Sequence, residues 1–351
     1  MTKTPDRPRS SELELRPVST RKVPRFAGVP TFLRLPVHDD PRDVDVLICG
    51  APFDGGTTFR PGARFGPRGV RLASALTRGF HPAQGLDLFE HLRCADGGDV
   101  ACVPMSVERS LAAIEARAEE IARAGAVPAF VGGDHTISLA PLRALARLHG
   151  PLGLIHFDAH SDTFGPAWDI ELHHGTVFRK AVEEGLLRTK DVVQLGIRGP
   201  FTAANDLKFA RDSGFRIVMI DEIKRSLDTV IADLAALRGR GKFYVSFDID
   251  GVDPAYAPGT GTPVPGGMTS WEALTLVRSL VGIDVVGLDI VEISPDHDPT
   301  GNTTLLAATV LTELLAGIAA TRVAGAHARV RRTRARVTAA APTKKRVKKA
   351  R

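Results

Sequence analysis

The chain reads as one α/β domain of three layers, α/β/α, built on a mainly parallel, doubly wound sheet. Two observations predict this. Short runs apolar on both faces alternate with amphipathic stretches of helical period, the pattern of parallel strands covered by helices on both sides. Of the 351 residues, 43% are hydrophobic and 25% charged, enough for a sizeable core and too apolar for disorder over most of the length.

Taken in order, residues 1–44 are rich in Pro and Arg, lack sustained periodicity, and are expected to form an arm lying over the body. The catalytic domain spans 45–320. Strands are expected at 44–49, 129–131, 152–157, 192–195, 217–220, 243–247 and 285–290, with helices at 107–124, 139–148, 176–184, 222–237, 270–280 and 303–319. Right-handed crossovers follow from the parallel strand order. The net charge of +6 resides in the tail: 12 of the 46 Lys+Arg lie from Arg322 onward with no acid among them, leaving 34 basic against 40 acidic residues in the body. Residues 321–351 therefore read as a basic, disordered extension, with salt-sensitive nucleic-acid contact as its alternative role. Cys49, Cys94 and Cys102 are too few and scattered for a disulfide framework or a thiolate cage and are expected as small buried hydrophobes. No unbroken apolar stretch approaches membrane-spanning length and the N-terminus has no apolar signal core, so a soluble, cytoplasmic protein is expected.

In a doubly wound sheet, ligands gather at the carboxyl ends of strands. Four expected strands end in acids or imidazoles: GGDH at 132–135, HFDAHSD at 156–162, FDIDGVDP at 247–254 and DIVE at 289–292. Asp158, His160 and Asp162 stand at i, i+2 and i+4, as do Asp248 and Asp250 at i and i+2, so an extended chain points each set to one side. Like charges aimed at one point repel, and a bound cation relieves them. Six oxygen and nitrogen donors without a thiolate, His135 included, suit a pair of Mn²⁺ ions better than a structural zinc.

The motifs GGDH, DAHSD at 158–162 and SFDIDGVDP at 246–254, with RPGARFGP at 60–67, GTGTPVPGGMTS at 259–270 and VEISP at 291–295, resemble the ureohydrolases, the arginase–agmatinase family, from about residue 25 to 319. The resemblance implies the arginase-like fold and two Mn²⁺ ions. His135, Asp158, Asp162 and Asp248 would hold one; Asp158, His160, Asp248 and Asp250 would hold the other, with Asp158 and Asp248 bridging. It further implies His174 as catalytic histidine, Glu292 as receiver of the guanidinium, and a homo-oligomer, trimer or hexamer. Asp162 would orient the nucleophile and move its proton.

The substrate implied is a linear guanidino compound, cleaved to urea and a primary amine. Agmatine, giving putrescine, is the expected substrate, with Asp54, Asp169 and Glu171 as candidate rim acids. The alternative is an ω-guanidino acid, whose carboxylate Arg60 or Arg64 could meet; PTGNTT at 299–304 resembles guanidinobutyrase and guanidinopropionase sequences. Metallophosphoesterases need an Asn-His element that Asn205 and Asn302 do not supply. Deacetylase-like amidohydrolases use one zinc and lack the second ligand set. A non-catalytic nucleic-acid-binding protein would rest on the tail alone.

Overall fold

The computed structural model describes residues 15–339. Ten strands are present among them: β1 (Val46–Ala51), β2 (Phe80–His81), β3 (Leu86–Asp87), β4 (Cys94–Asp99), β5 (Val127–Gly132), β6 (Leu152–Phe157), β7 (Leu187–Ile197), β8 (Arg216–Met219), β9 (Lys242–Asp248) and β10 (Asp284–Val291). β2 and β3 form a small antiparallel hairpin. The other eight make one sheet in the order β4-β1-β5-β10-β9-β6-β7-β8, every neighbouring pair parallel. The seven expected strands lie where their periodicity puts them. β4 has no such signal: it reads Cys-Ala-Asp-Gly-Gly-Asp and is the last strand of the sheet, paired with β1 on one side and with the arm through the single bridge Val37–Asp96 on the other.

Alternate strand residues face opposite layers, as the pleat requires. Val46, Ile48, Ala129, Val131, Ile155 and Phe157 join one buried cluster, which the helices Ser270–Arg278 and Asn302–Ala339 cover. Leu47, Cys49, Phe130 and Leu154 join the other, under Val107–Arg123 and Leu139–His149. Phe32, Leu33 and Leu35 bring the N-terminal arm into the first cluster. Cys102 is half-buried, whereas Cys49 and Cys94 are buried.

Two expectations are corrected. The helix expected over 222–237 is two, Ile220–Arg225 and Leu227–Ala235, because Ser226 leaves the helical region and its side chain accepts the Thr229 N–H. The tail expected to be disordered from 321 continues the last helix as far as Ala339. There Thr321 Oγ1 accepts from Gly282 N at 2.8 Å, and Arg322 pairs with Asp45 at 2.6 Å. Ala and Arg are strong helix formers even where apolar periodicity is missing. Residues 340–351 lie outside the described residues. Within this helix, Asn302–Ala326 is long and apolar enough to cross a membrane, but 78% of its most apolar window is buried in the fold, as befits a core helix.

The topology sets the site. β5 and β6 are consecutive in this sheet's chain order but not adjacent; β9 and β10, the last strands in the chain, fill the gap between them. Four strand ends that are remote in sequence thus become neighbours at the switch point of the sheet. After β5 the chain turns under the β1 loop: Gly133 N donates to Ala51 O (2.9 Å) and Asp134 N to Phe53 O (2.8 Å). A Cβ at Gly133 would lie 1.5 Å from Phe53 O, a clash with backbone. We expect Gly133→Ala to displace His135 and lose metal binding, read by calorimetric Mn²⁺ titration; a variant that binds as the wild type does would show that this close approach is dispensable.

Candidate active site

The carboxyl ends of β5, β10, β9 and β6 bring His135, Glu292, Asp248 with Asp250, and Asp158 through Asp162 to one place. His135 Nδ1 lies 3.2 Å from Asp158 Oδ2, 2.9 Å from Asp162 Oδ2 and 3.3 Å from Asp248 Oδ2. His160 Nδ1 lies 3.4 Å from Asp158 Oδ1 and 3.1 Å from Asp250 Oδ2. Asp158 thus offers one oxygen to each group, the arrangement a bridging carboxylate needs. All six expected ligands converge.

They do so by turns rather than by continued strand. Asp162 has a left-handed φ of 50°, and Asp250 sits in the turn Ile249–Gly251, where its N–H donates to Asp248 Oδ1 at 2.8 Å. The one-sided alternation expected along 158–162 is therefore corrected: β6 ends at Phe157, and the loop aims the side chains.

Strand alternation does operate one step below. His156, Ser246, Asp289 and Gln194 form a buried row across β6, β9, β10 and β7, in register with one another. Ser246 Oγ donates to Asp289 Oδ1 (2.6 Å), so it can only accept from His135 Nε2 (2.7 Å). When neutral, His135 then carries its hydrogen on Nε2 and presents the Nδ1 lone pair toward the three carboxylates, with none of which Nδ1 makes a well-aligned hydrogen bond. Tyr244 O–H closes the chain on Asp289 Oδ2 (2.7 Å). Likewise Gln194 Nε2 donates to His156 Nδ1 (3.0 Å), leaving the His156 Nε2–H to donate to Asp158 Oδ2 (2.7 Å). His156 is close enough to Asp158 to serve as a ligand, but its tautomer makes it a donor that orients the carboxylate. These residues went unassigned from sequence, although the i, i+2 spacings His156/Asp158 and Ser246/Asp248 were available signals.

Burial, then the charges of Asp250 and Asp158, push Asp248 well above the usual carboxylate range. Burial alone would lower His135, but Asp158, Asp162 and Asp248 outweigh it and hold it well above the ordinary histidine range. Without a cation, then, the cluster holds protons in its place. The unpartnered His135 Nδ1 among three carboxylates and the absence of thiolate from the group fit a pair of Mn²⁺ ions.

Glu292 takes a left-handed φ of 62° just beyond β10. Its Oε1 accepts from His135 N (2.8 Å) and faces His174 Nδ1 (2.9 Å); its Oε2 is buried without a partner. An added Cβ at Gly261 would lie 3.7 Å from Oε2, so the glycine keeps that approach open. Burial opposes a charge on His174, but Glu292 and then Asp162 and Asp134 outweigh it and push the pKa up to about 9. His173 caps the turn holding His174, accepting from Gly175 N at 3.2 Å.

The expected rim separates. Asp54 and Arg64 pair with each other, and Asp54 also accepts from Gly62 N at 2.8 Å, so both serve the loop rather than a substrate tail. Arg60 folds over the carbonyls of Gly261 (3.2 Å) and Thr260 (3.0 Å) and pairs with no carboxylate among the described residues. Glu171 pairs with Lys180; Asp169 is exposed in a tight turn with Trp168. Thr300 and Thr303 in the 299–304 segment serve a cap, with Asp298 accepting from Thr300 N (3.0 Å) and Thr303 N (2.6 Å) at the start of the last helix.

Metal binding must release protons here. We expect Mn²⁺ affinity, measured by calorimetry on metal-free protein, to fall as pH is lowered, because the raised Asp248 keeps its proton and competes with the ion. We also expect chelation to lower Tm and Mn²⁺ at about 100 times its Kd to restore roughly 2.7 kcal/mol. Asp248→Ala should lose both responses.

The family model described as Arginase family matches residues 44–317. The guanidinopropionase of Pseudomonas aeruginosa is 47% identical over 304 residues, covering 85% of this chain and 94% of its own. The mitochondrial agmatinase of Gallus gallus is 44% identical, covering 85% and 88%. The solved proclavaminate amidinohydrolase of Streptomyces clavuligerus superposes with a TM-score of 0.80 at 41% identity, covering 85% of this chain and 99% of that one. With this sheet, these strand-end donors and these likenesses, the chain belongs to the arginase family, hydrolases that act on guanidino C–N bonds.

Proposed function

We propose that the chain hydrolyses an ω-guanidino acid to urea and an amino acid bearing a primary amine, using two Mn²⁺ ions. The observation that carries this reading is the buried, unpartnered Glu292 Oε2 beside two donor groups that share Asp158. His135, Asp158, Asp162 and Asp248 would hold one ion, and Asp158, His160, Asp248 and Asp250 the other. Two close divalent cations lower the pKa of water enough for it to attack near neutral pH.

The chain's own groups do the remainder. Glu292 Oε2 binds the planar guanidinium by charge-assisted hydrogen bonds and fixes its carbon in place. Asp162 takes a proton from the attacking water and passes it to the substrate nitrogen, and His174 gives the departing amine a second proton. Burial of Glu292 and Asp162 excludes competing water from the reacting carbon.

Arg60 supports an acid tail, since it is next to Gly261 and has no carboxylate of its own. The locked Asp54–Arg64 pair removes one acid that a cationic tail would have met. Agmatine is the second reading, supported by the exposed Asp169. We further propose that the chain forms a homo-oligomer, trimer or hexamer, in the cytoplasm. Exposed Phe26 (94%) and Val29 (85%) on the arm support an apolar face that another subunit covers, and the free cysteines suit a reducing compartment.

Urea release with Mn²⁺ from 3-guanidinopropionate, 4-guanidinobutyrate, agmatine and arginine tests the assignment; cleavage of agmatine alone would overturn the acid reading. We expect Arg60→Ala to raise KM for guanidino acids about 10- to 100-fold, the worth of a hydrogen bond between charged groups. Arg64→Ala should instead lower stability by about 1–2 kcal/mol, because it leaves the buried Asp54 carboxylate only its backbone donors, a loss that denaturant titration reads directly.

A further inference from the structure

One loop grips His174 from both its backbone and its ring. The His174 N–H donates to Gly56 O (3.1 Å), and its Nε2 lies 3.2 Å from the Thr58 N–H and 2.7 Å from Thr58 Oγ1. The loop itself is pinned: Gly56 N donates to Asp134 Oδ2 (2.6 Å), and Gly62 N to Asp54 Oδ2. His174 is buried while Thr58 is exposed. With Nδ1 turned to Glu292, Nε2 has the exposed Thr58 as its hydrogen-bonding neighbour among the described residues.

A hydroxyl can pass a hydrogen because it donates one and accepts others. In the neutral ring the Thr58 amide points at the Nε2 lone pair, so the ring hydrogen is on Nδ1 and faces Glu292. When Nε2 gains a hydrogen, that hydrogen faces Thr58 Oγ1, which accepts it and turns its own O–H outward.

We propose that Thr58 is the relay through which His174 recovers its proton from solvent in each turnover, a role that rests on the guanidino-hydrolase reading above. The protons balance. The attacking water gives one proton to the amine nitrogen through Asp162 as the C–N bond breaks, and its second goes to solvent when the urea carbonyl forms. His174 supplies the amine's other proton from Nε2, whose hydrogen leaves Thr58 Oγ1 for the amine and leaves the ring neutral with its hydrogen on Nδ1. Thr58 Oγ1–H then passes its hydrogen to the ring and takes one from solvent, so Thr58 ends unchanged. Thr58 acts through His174 and is a positioning residue, not one that touches the substrate.

Thr58→Val removes the hydroxyl but keeps the backbone N–H. We expect kcat to fall about 10- to 100-fold, with KM and the Mn²⁺ affinity of the metal-free protein unchanged. Thr58→Ser should restore kcat, and added imidazole should raise kcat of the Val variant with concentration while leaving the wild type unaffected. A Val variant with wild-type kcat overturns the proposal, as does a loss that imidazole fails to restore or that comes with weakened Mn²⁺ binding. If the wild type releases no urea from any of the four guanidines, the hydrolase reading itself falls and the relay with it, an outcome independent of residue 58.

Discussion

Four carboxylates, Asp158, Asp162, Asp248 and Asp250, are buried side by side at the ends of two adjacent strands, and their mutual repulsion is the constraint the rest of the site is built around. Two unit charges 4 Å apart cost about 4 kcal/mol at an effective dielectric near 20. Backbone donors relieve part of this, as His160 N does for Asp158 Oδ1 (2.5 Å) and Asp250 N for Asp248 Oδ1. The two imidazoles relieve more by holding protons. A pair of divalent ions relieves it most, and frees the imidazoles to act as neutral ligands.

Neutral ligands must point the right nitrogen inward, and the sheet arranges this from below. The row Gln194, His156, Ser246 and Asp289 runs across four strands at one level of the pleat, in a layer otherwise filled by Leu, Val and Phe. Polar groups so deep are tolerated only when paired. Their pairing runs in one direction, from Tyr244 and Ser246 into Asp289, which leaves His135 a single tautomer. The hydrogen bonds that satisfy the core are therefore the same ones that aim His135 at the carboxylate cluster.

The substrate end follows a different logic. Glu292 holds a left-handed backbone, a conformation costing about 1–3 kcal/mol for a residue with a side chain. It is over-determined by its neighbours: Glu292 N donates to Gly133 O at 2.8 Å while Oε1 bridges His135 and His174. One oxygen is spent on rigidity and the other is buried without a partner. The loop from Asp54 to Arg64 completes the wall by spending the charges at its two ends on each other, which is why two residues expected to meet a substrate tail meet each other.

The amino-acid sequence by itself determined the layers and the donor side chains that gather at the strand ends. Apolar runs placed seven strands, and GGDH, DAHSD and FDID named all six converging donors, because strand burial and metal affinity depend on residue type over a few positions. It did not reveal β4, whose glycines and aspartates resemble a loop and which forms only because β1 offers a free edge. Nor did it separate Arg60 from Arg64, or show His156 and Ser246 as orienting groups. Those roles depend on which partner the fold brings across a gap of 10 to 43 residues, as Asp54 lies by Arg64, Gln194 by His156 and Asp289 by Ser246. Side-chain charge and hydrogen-bond capacity are written in the chain, but whether each is spent inward or kept for a ligand is decided only when folding supplies the neighbour.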